Sequence, residues 1–578
     1  MKQNYNLKKF WAKKQYILDW FKPSKIVLKK NDQNYTWFND GKINLFYNCV
    51  EKNILEQKSN KIAIITVNQK CEINNFSYLE LDKKIDTFCS FVSSFFFKEN
   101  ISYKKIMIHA SASIESAVAM LACSKLGIHF SVIFEDLEEL AVRNRISIFK
   151  PDLIISRFPR KIFFKKYSKQ TLGLNLKYSF FEDINNKVTI KKFKIKHCLG
   201  NRDLFTLFTS GSTGQPKGIT HSTAGYLLYA KYSCAEQFGM NPDSVVLTAS
   251  DAAWINGHTY ALFGPLSFGA TTVLLEKPML LLNKELLKKI LKFRISILYL
   301  PVTLIRLMKS LFDNSKFSSK YLKAIGSMGE PLAQTIGAWY AKAFCMKDSA
   351  IVNTYFQTET GGIICSPKYH ETKKDSPHGS VGKPINNYLK LNKLFDKQKE
   401  ILIETPWPGC MKKILNGKKE WNKYWNKEGS FRLFDFAVKK NDNIYIQGRV
   451  DDVINIRGHR IGSAEIEAVV LQNSKVKECS AVSIEDELEG FVFILFVVSN
   501  NYEIEKNIKE IIVSSFGTFA LPKRIIFLQN LPKTRSGKIL RRLLRQICKY
   551  PYQKNYGDTS TMLDPSVVNE IKHKIQLS

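Results

Sequence analysis

The sequence predicts an α/β protein: a large N-terminal domain with stacked sheets and helices and a small, mobile α+β C-terminal domain. Three observations lead there. The chain has 578 residues, more than one ordinary core accommodates. Strand-like and helix-like stretches alternate through 61–134 and again through 244–301, which argues for largely parallel sheet. The texture then changes near 448. Residues 1–60 are aromatic and lysine-rich, and "FWAKKQYILDWF" predicts a helix or cap over a core. In 61–447, "KIAIITV" (61–67), "KIMIHA" (105–110) and "FSVIF" (130–134) predict strands. "YLELDKKIDTFCSFVSSFF" (78–96) has helical spacing, and "SIESAVAMLACSKLG" (113–127) predicts a helix with small packing residues. Farther on, "SVVLTAS", "TTVLLE" and "ISILYLP" predict strands, with the helical "LLKKILKF" among them. In 448–578 a short strand runs through a turn into an amphipathic helix ending "AEIEAVVLQ". Strands "KECSAVSI", "FVFILFVV" and "RIIFLQ" follow, with a helix near 503–515.

Composition narrows the function class. Hydrophobic residues at 44% with 24% charged are those of a globular protein. No run reaches the roughly 18 apolar residues of a membrane span, and "GFVFILFVVS" (490–499) reads as a buried strand. The first residues, "MKQNYNLKKFWAKKQY", lack the apolar core of a signal peptide. The 11 cysteines form no C-x-x-C pair, which suits a reducing cytoplasm and argues against zinc or a disulfide framework. The formal charge of +35 is spread over the whole chain beside many Asn and Ile, a compositional bias. No nucleic-acid motif accompanies it, so no nucleic-acid partner is expected.

Chemistry concentrates first in "TLFTSGSTGQPKGITHS", 206–222. Gly211, Gly214 and Gly218 let backbone N–H groups approach a ligand closely. Thr209, Ser210, Ser212 and Thr213 add hydroxyls, and Lys217 adds a point charge. Such a loop is a cradle for phosphate oxygens. It is not a Walker A loop, because Pro216 precedes Lys217 and Gly218 follows it. A flexible Ser/Gly linker is the ordinary alternative. The strand-like "LFTLF" before the loop and the Pro-Lys-Gly end argue against it.

Four further stretches carry chemistry. "YFQTETGG" (355–362) places Glu359 in a turn, where a carboxylate suits Mg²⁺, although a plain strand-to-turn transition has the same look. "FRLFDFAV" (431–438) places Asp435 at an expected strand end, where it could bind ribose hydroxyls. "GRVDDVINIRGHRIGSAEIE" (448–467) gathers Arg449, Asp451, Asp452, Arg457, His459 and Arg460, either a solvated loop or a mobile phosphate-handling junction. "LPKTRSGKILRR" (531–542) presents Lys538 in a basic, glycine-containing turn; a surface basic run is the ordinary reading.

In this order the stretches are specific. The chain resembles the adenylate-forming superfamily, most closely the AMP-forming acetyl-CoA synthetases. The likeness runs from "WFNDGKINLFYNCVEKN" through "AVAMLACSKLGIHFSVIF", "SDAAWINGHTYALFGPL", "SMGEPL" and "GSVGKPI" to "DTSTMLDPSVV" (558–568). The resemblance implies an adenylation domain over 61–447, a mobile domain over 448–578 hinged near Asp451, and ATP, Mg²⁺ and CoA as cofactor and co-substrates. It implies that Lys538 bridges carboxylate and phosphate, and that Thr358 and Glu359 serve the α-phosphate and the metal. Residues Thr209, Ser210, Gly211, Ser212, Thr213, Gly214 and Lys217 would hold the β,γ-phosphates. Gly329, Glu330, Pro331, Asn353, Thr354, Tyr355, Phe356 and Gln357 would line the adenine side. Asp435 and Arg449 would hold the ribose, and Arg460 a phosphate. Gly458, Arg157 and Arg160 would face CoA, and Ile255, Asn256, Met328 and Phe356 would form the acyl pocket.

Departures from the family pattern bear on substrate. Phe356 stands where acetate enzymes carry Trp, Met328 where Val is usual, and Asn256 where Thr is usual. Phe434 replaces the Gly before the ribose Asp, and Val513 a basic CoA contact. The resemblance therefore implies a ligase for acetate, with propionate or another small acid as the alternative. An adenylate former that loads a carrier-protein thiol, and a degenerate non-catalytic homologue, are the more distant readings.

Overall fold

The computed structural model describes residues 2–576 other than 32, 99–103, 138, 168–176, 185–191, 210–215, 387–388, 396–397, 416, 450–452, 457–458, 487–489, 535–536, 554–555 and 557–561. The chain forms two compact units. One comprises Met1–Met328, Gln334–Leu389 and Ile403–Phe431; the other comprises Gly329–Ala333, Lys390–Leu402 and Arg432–Ser578.

Two seven-stranded sheets organise the first unit. In one, Lys177–Phe180, Leu153–Ser156, Lys105–His109, His129–Ile133 and Asp203–Thr209 run parallel, followed by antiparallel Lys217–Ser222 and Lys413–Leu415. In the other, Val352–Asn353, Ala324–Met328, Ile297–Pro301, Val245–Thr248, Thr271–Leu275 and Ile62–Val67 run parallel, and Ile73–Ser77 closes the edge antiparallel. The central strands are buried on both faces, as parallel strands covered by helices must be.

The helix Ile114–Leu126 shows how local sequence sets an element. Ser113 and Ser116 exchange side-chain-to-backbone bonds at its start, and Gly127 ends it at φ +65°. Its small residues are buried nearly throughout, and with them Lys125. That ammonium is fully enclosed and is held by Asp86 at 2.6 Å and Asp82 at 3.2 Å, both on the helix Tyr78–Lys98. A buried charge needs such partners.

In the second unit, the strands Leu389–Phe395, Gln398–Ile403, Phe431–Lys440 and Asn443–Arg449 make a four-stranded sheet. The hairpin Val453–Ile456 and His459–Gly462 leads into the helix Ser463–Val470. Beyond it lies a three-stranded sheet of Glu478–Asp486, Gly490–Val498 and Arg524–Leu528. The run "FVFILFVV" is a strand buried on both faces. Phe493, Leu495 and Val497 pack with Ile466, Ile508 and Ile512, while Ile494, Phe496 and Val498 pack with Leu544, Ile547 and Ile571. Among the described residues no helix is long and apolar enough to cross a membrane. All 11 cysteines are free.

Candidate active site

In the first unit, Thr209 and Lys217 are register partners on antiparallel strands, so they clamp the base of the glycine-rich loop. Ser210, Gly211, Ser212, Thr213 and Gly214 lie outside the described residues. Lys217 Nζ stands 3.2 Å from Glu420 and 5.3 Å from the centre of the Tyr424 ring.

Thr358 and Glu359 occupy a single 3₁₀ turn, Thr358–Thr360. Gln357 N–H donates to Thr360 Oγ1 at 3.1 Å, closing the turn, and Gly361 leaves it at φ +70°. A Cβ on Gly361 would lie 2.1 Å from the Gly409 carbonyl oxygen, so only glycine fits. The His221 ring bridges Thr358 O at 2.8 Å and Gly409 O at 3.1 Å. Burial pushes His221 down to about 4, so the ring is neutral and only one nitrogen donates. Met411 N–H donates to Glu359 O at 2.7 Å, and Tyr424 O–H donates to Glu359 Oε1 at 2.6 Å. Glu359 is buried but for 8% of its surface.

The C-terminal ends of the second sheet's strands carry the next group, where ligands bind in such folds. Thr354 N–H and Oγ1 each donate to Ser327 O at 2.9 Å, and Tyr299 O–H meets Thr354 Oγ1 at 2.5 Å. Asn353 accepts from Ser327 Oγ and donates to Ser380 O, both within 2.9 Å. Tyr355 is bridged to Cys365, and Phe356 meets Tyr260 edge-on at 5.9 Å. Phe356 packs on a cluster that includes Met328, Tyr260, Tyr299 and Ile363. Asn256 Nδ2 donates to Met328 Sδ, and Ile255, Asn256 and Met328 are all buried. Of the four expected acyl-pocket residues, Asn256 and Met328 are thus in direct contact, and Phe356 packs on the cluster that contains Met328.

Arg157 and Arg160 differ. Arg157 is held between Glu135 at 3.1 Å and Glu276, and donates to Ser111 Oγ at 2.9 Å. Burial pushes the Glu135 carboxyl up against the opposing pull of Arg157. Arg160 is exposed, paired with Asp183 at 2.7 Å and stacked 4.6 Å over Phe180.

In the second unit, Asp435 faces Arg449 across paired strands, with Nη1 and Oδ1 3.8 Å apart. Asp435 lies inside a ten-residue strand, not at a strand end, because the antiparallel pairing continues to Lys440 and Asn443. Phe434 holds φ +59°, a strained conformation for a bulky residue. Its ring lies 4.9 Å from the Arg432 guanidinium and 5.7 Å from that of Arg449. Gly329 has φ +93° with nothing within 4 Å of a would-be Cβ, followed by Glu330 and Pro331.

Lys538 is exposed on a turn whose two flanks are fixed. Thr534 N–H donates to Lys538 O at 2.8 Å, and Lys538 N–H donates to Thr534 Oγ1 at 3.1 Å. Lys533 pairs with Glu478 at 2.7 Å, and Arg541 makes a forked pair with Glu467. Arg460 sits opposite Asn455 in the hairpin, its side chain outside the described set, as are Gly458 and Asp451. Val513 is half-buried in the helix Glu505–Phe516.

Sequence reading assigned no role to Tyr424 or His221. Tyr424 is 65 residues from Glu359, and only packing pairs them. His221 stands at the end of the glycine-rich stretch, where its position beside a phosphate-type loop was the available signal.

Residues 50–399 match the AMP-binding enzyme family and 465–538 its C-terminal domain. The chain belongs to the AMP-binding enzyme family, whose members are adenylate-forming. Residues 4–49 match the acetyl-coenzyme A synthetase N-terminus, which places the chain with the AMP-forming acetyl-coenzyme A synthetases, acid–thiol ligases. An acetyl-coenzyme A synthetase of Helicobacter pylori is 31% identical over 99% of this chain and 94% of its own length. One from Kluyveromyces lactis is 30% identical over 99% and 88%. Among solved structures, an acetoacetyl-CoA synthetase from Streptomyces lividans shares the fold at a TM-score of 0.82 and 15% identity, covering 99% of this chain and 93% of its own. An anthranilate CoA ligase in complex with anthranoyl-AMP does so at 0.76 and 19%, covering 87% and 97%.

Proposed function

We propose that the protein activates a short carboxylate, acetate first among the candidates, with ATP and passes it to CoA. One observation supports this most: Tyr424 joins two groups that phosphate chemistry needs. Its hydroxyl holds Glu359 at 2.6 Å and its ring lies 5.3 Å below Lys217, so a carboxylate and a cation share one small site.

In the first half-reaction a carboxylate oxygen attacks the α-phosphorus of ATP, and pyrophosphate leaves. Two anions meet, so the reaction needs charge neutralisation and in-line positioning. Lys217 and the Thr209–Gly214 loop take the β,γ-phosphates, and Thr358 the α-phosphate. Asp435 and Arg449 take the ribose, Arg460 a phosphate, and Gly329–Pro331 with Asn353–Gln357 the adenine side. Glu359 fits Mg²⁺, a hard cation commonly bound by one or two carboxylates plus phosphate and water. Glu359 is a buried carboxylate steadied by Tyr424, and the described residues show no cluster of three His, Cys, Asp or Glu ligands. Mg²⁺ there would offset phosphate charge. Lys538 serves this step only. In the second half-reaction the CoA thiolate attacks the acyl carbonyl and AMP leaves. Movement of the 448–578 segment about Asp451 would withdraw Lys538 and bring Gly458 toward CoA, with Arg160 as a further CoA contact.

Pyrophosphate exchange into ATP without CoA tests the first step. Exchange dependent on one short acid supports the reading; none with any acid in folded protein overturns it. Lys538→Ala is expected to abolish exchange and to leave thioester formation from supplied acyl-adenylate largely intact. Equal loss of both steps would refute the assignment.

A further inference from the structure

The acyl end of this site contains a polar atom that its neighbours do not satisfy. Asn256 is 5% exposed and begins the π-helical turn Gly257–Phe263. Its Nδ2 is committed to Met328 Sδ. A thioether sulfur accepts and cannot donate, so this contact sets the amide orientation and turns Oδ1 the other way. Oδ1 is buried and has no hydrogen-bond partner among the described residues. Met328 belongs to the cluster of Tyr260, Tyr299 and Ile363 on which Phe356 packs. The Tyr260 hydroxyl is bonded to Ser233 and the Ile363 N–H, and that of Tyr299 to Thr354, so neither is left over for Oδ1.

From this we infer that the preferred substrate is a short carboxylic acid bearing a hydroxyl, whose O–H donates to Asn256 Oδ1. The inference rests on the carboxylate–CoA ligase reading above and narrows its substrate. In the free protein this acceptor is already buried and unpaired, so an alkyl acid leaves it as it was, whereas a hydroxyl that reaches it relieves the unmade bond and gains about tenfold to a hundredfold in binding. Sites built to bond a substrate hydroxyl reject analogues lacking it far more strongly than apolar pockets reject a methylene. A ketone would place a second acceptor against Oδ1, so a keto acid should do worse than the parent alkyl acid.

Initial rates of pyrophosphate exchange test this with matched acids: acetate and glycolate; propionate, lactate and pyruvate; butyrate, 3-hydroxybutyrate and acetoacetate. In at least one set the hydroxy acid is expected to exceed its alkyl parent at least tenfold in kcat/KM. Where a keto acid completes that set, it should fall below the parent. Asn256→Leu keeps similar volume without the acceptor and should bring the hydroxy-to-parent ratio to one or below. The ratio in the unmodified protein decides the matter even if that variant fails to fold. Alkyl acids equal to or better than hydroxy acids in every set would overturn this inference and leave the ligase reading standing. No exchange with any of these acids would overturn both.

Discussion

Gly361→Ala tests whether the turn holding Glu359 depends on the chain lying directly against it. Two costs are legible. The residue has φ +70°, which costs an alanine about 1–2 kcal/mol. The new Cβ would also lie 2.1 Å from Gly409 O and 3.3 Å from His221 Cε1. Ordinary contact needs roughly 1 Å more, and overpacking of this sort costs about 1–3 kcal/mol. The sum is about 2–5 kcal/mol. Relief requires the 409–411 segment to retreat, which stretches the 2.7 Å Met411–Glu359 bond and the His221 bridge. Gly329→Ala is the control, since φ is +93° there but the Cβ meets nothing within 4 Å. The assay is urea unfolding of each variant together with pyrophosphate exchange against Mg²⁺ concentration. Gly361→Ala should be the more destabilised, by about 1–3 kcal/mol, and should need more Mg²⁺. Equal destabilisation of the two, with unchanged Mg²⁺ dependence, would refute the packing argument.

Tyr424→Phe removes the 2.6 Å bond to Glu359; a bond to a charged group is worth about 1.5–3 kcal/mol, so exchange should fall about tenfold at limiting Mg²⁺ with the fold intact by circular dichroism. Arg157→Ala strands Glu135 and Glu276 and should cost about 3–5 kcal/mol in urea unfolding. Arg160→Ala, at an exposed pair, should leave stability within about 1 kcal/mol and show itself in KM for CoA alone. Stability should fall on acidification: burial holds His221 at about 4 and His109, His129 and His258 at about 3, against an ordinary 6.5. Between about pH 4 and 6.5 the unfolded chain therefore binds up to four protons that the native state refuses. Asp251, which burial raises to about 7, opposes this with one proton bound only by the native state. Its contribution is full below 3.8 and is lost as pH rises through 7. The histidines outnumber it, so urea midpoints at pH 5 should lie well below those at pH 7, by on the order of 5 kcal/mol in free energy. A flat profile would mean that these rings are not held neutral.

The candidate site was legible where the residues that would carry its chemistry are local in sequence. The glycine-rich loop, the Thr358–Glu359 turn, the Asp435–Arg449 strands and the Lys538 turn each occupy a short stretch, because phosphate cradles and tight turns impose residue types at fixed offsets. What steadies them was not legible. Tyr424, the His221 bridge and the Asn256–Met328 contact join residues 65 or more apart, and a side chain's partner across such a distance leaves no periodic trace. The environment of Arg157 is of the same kind: the family resemblance implied that it and Arg160 both face CoA, and the fold sets Arg157 between the buried carboxylates Glu135 and Glu276.

By itself the sequence determined the elements. Runs of apolar residues in "KIAIITV", "KIMIHA" and "FVFILFVV", the Ser113 start and Gly127 stop of one helix, and the alternation of strand with helix follow from backbone hydrogen bonding and solvent exclusion, which act within a few residues. Only the tertiary structure decided which strands are neighbours. Ile62–Val67 and Lys105–His109, consecutive members of one alternating run, belong to different sheets, the former beside Thr271–Leu275 and the latter between His129–Ile133 and Leu153–Ser156. Any two apolar strands can pair by the same backbone bonds, so the choice rests on which helices and side chains fill the space on either face, a property of the assembled core.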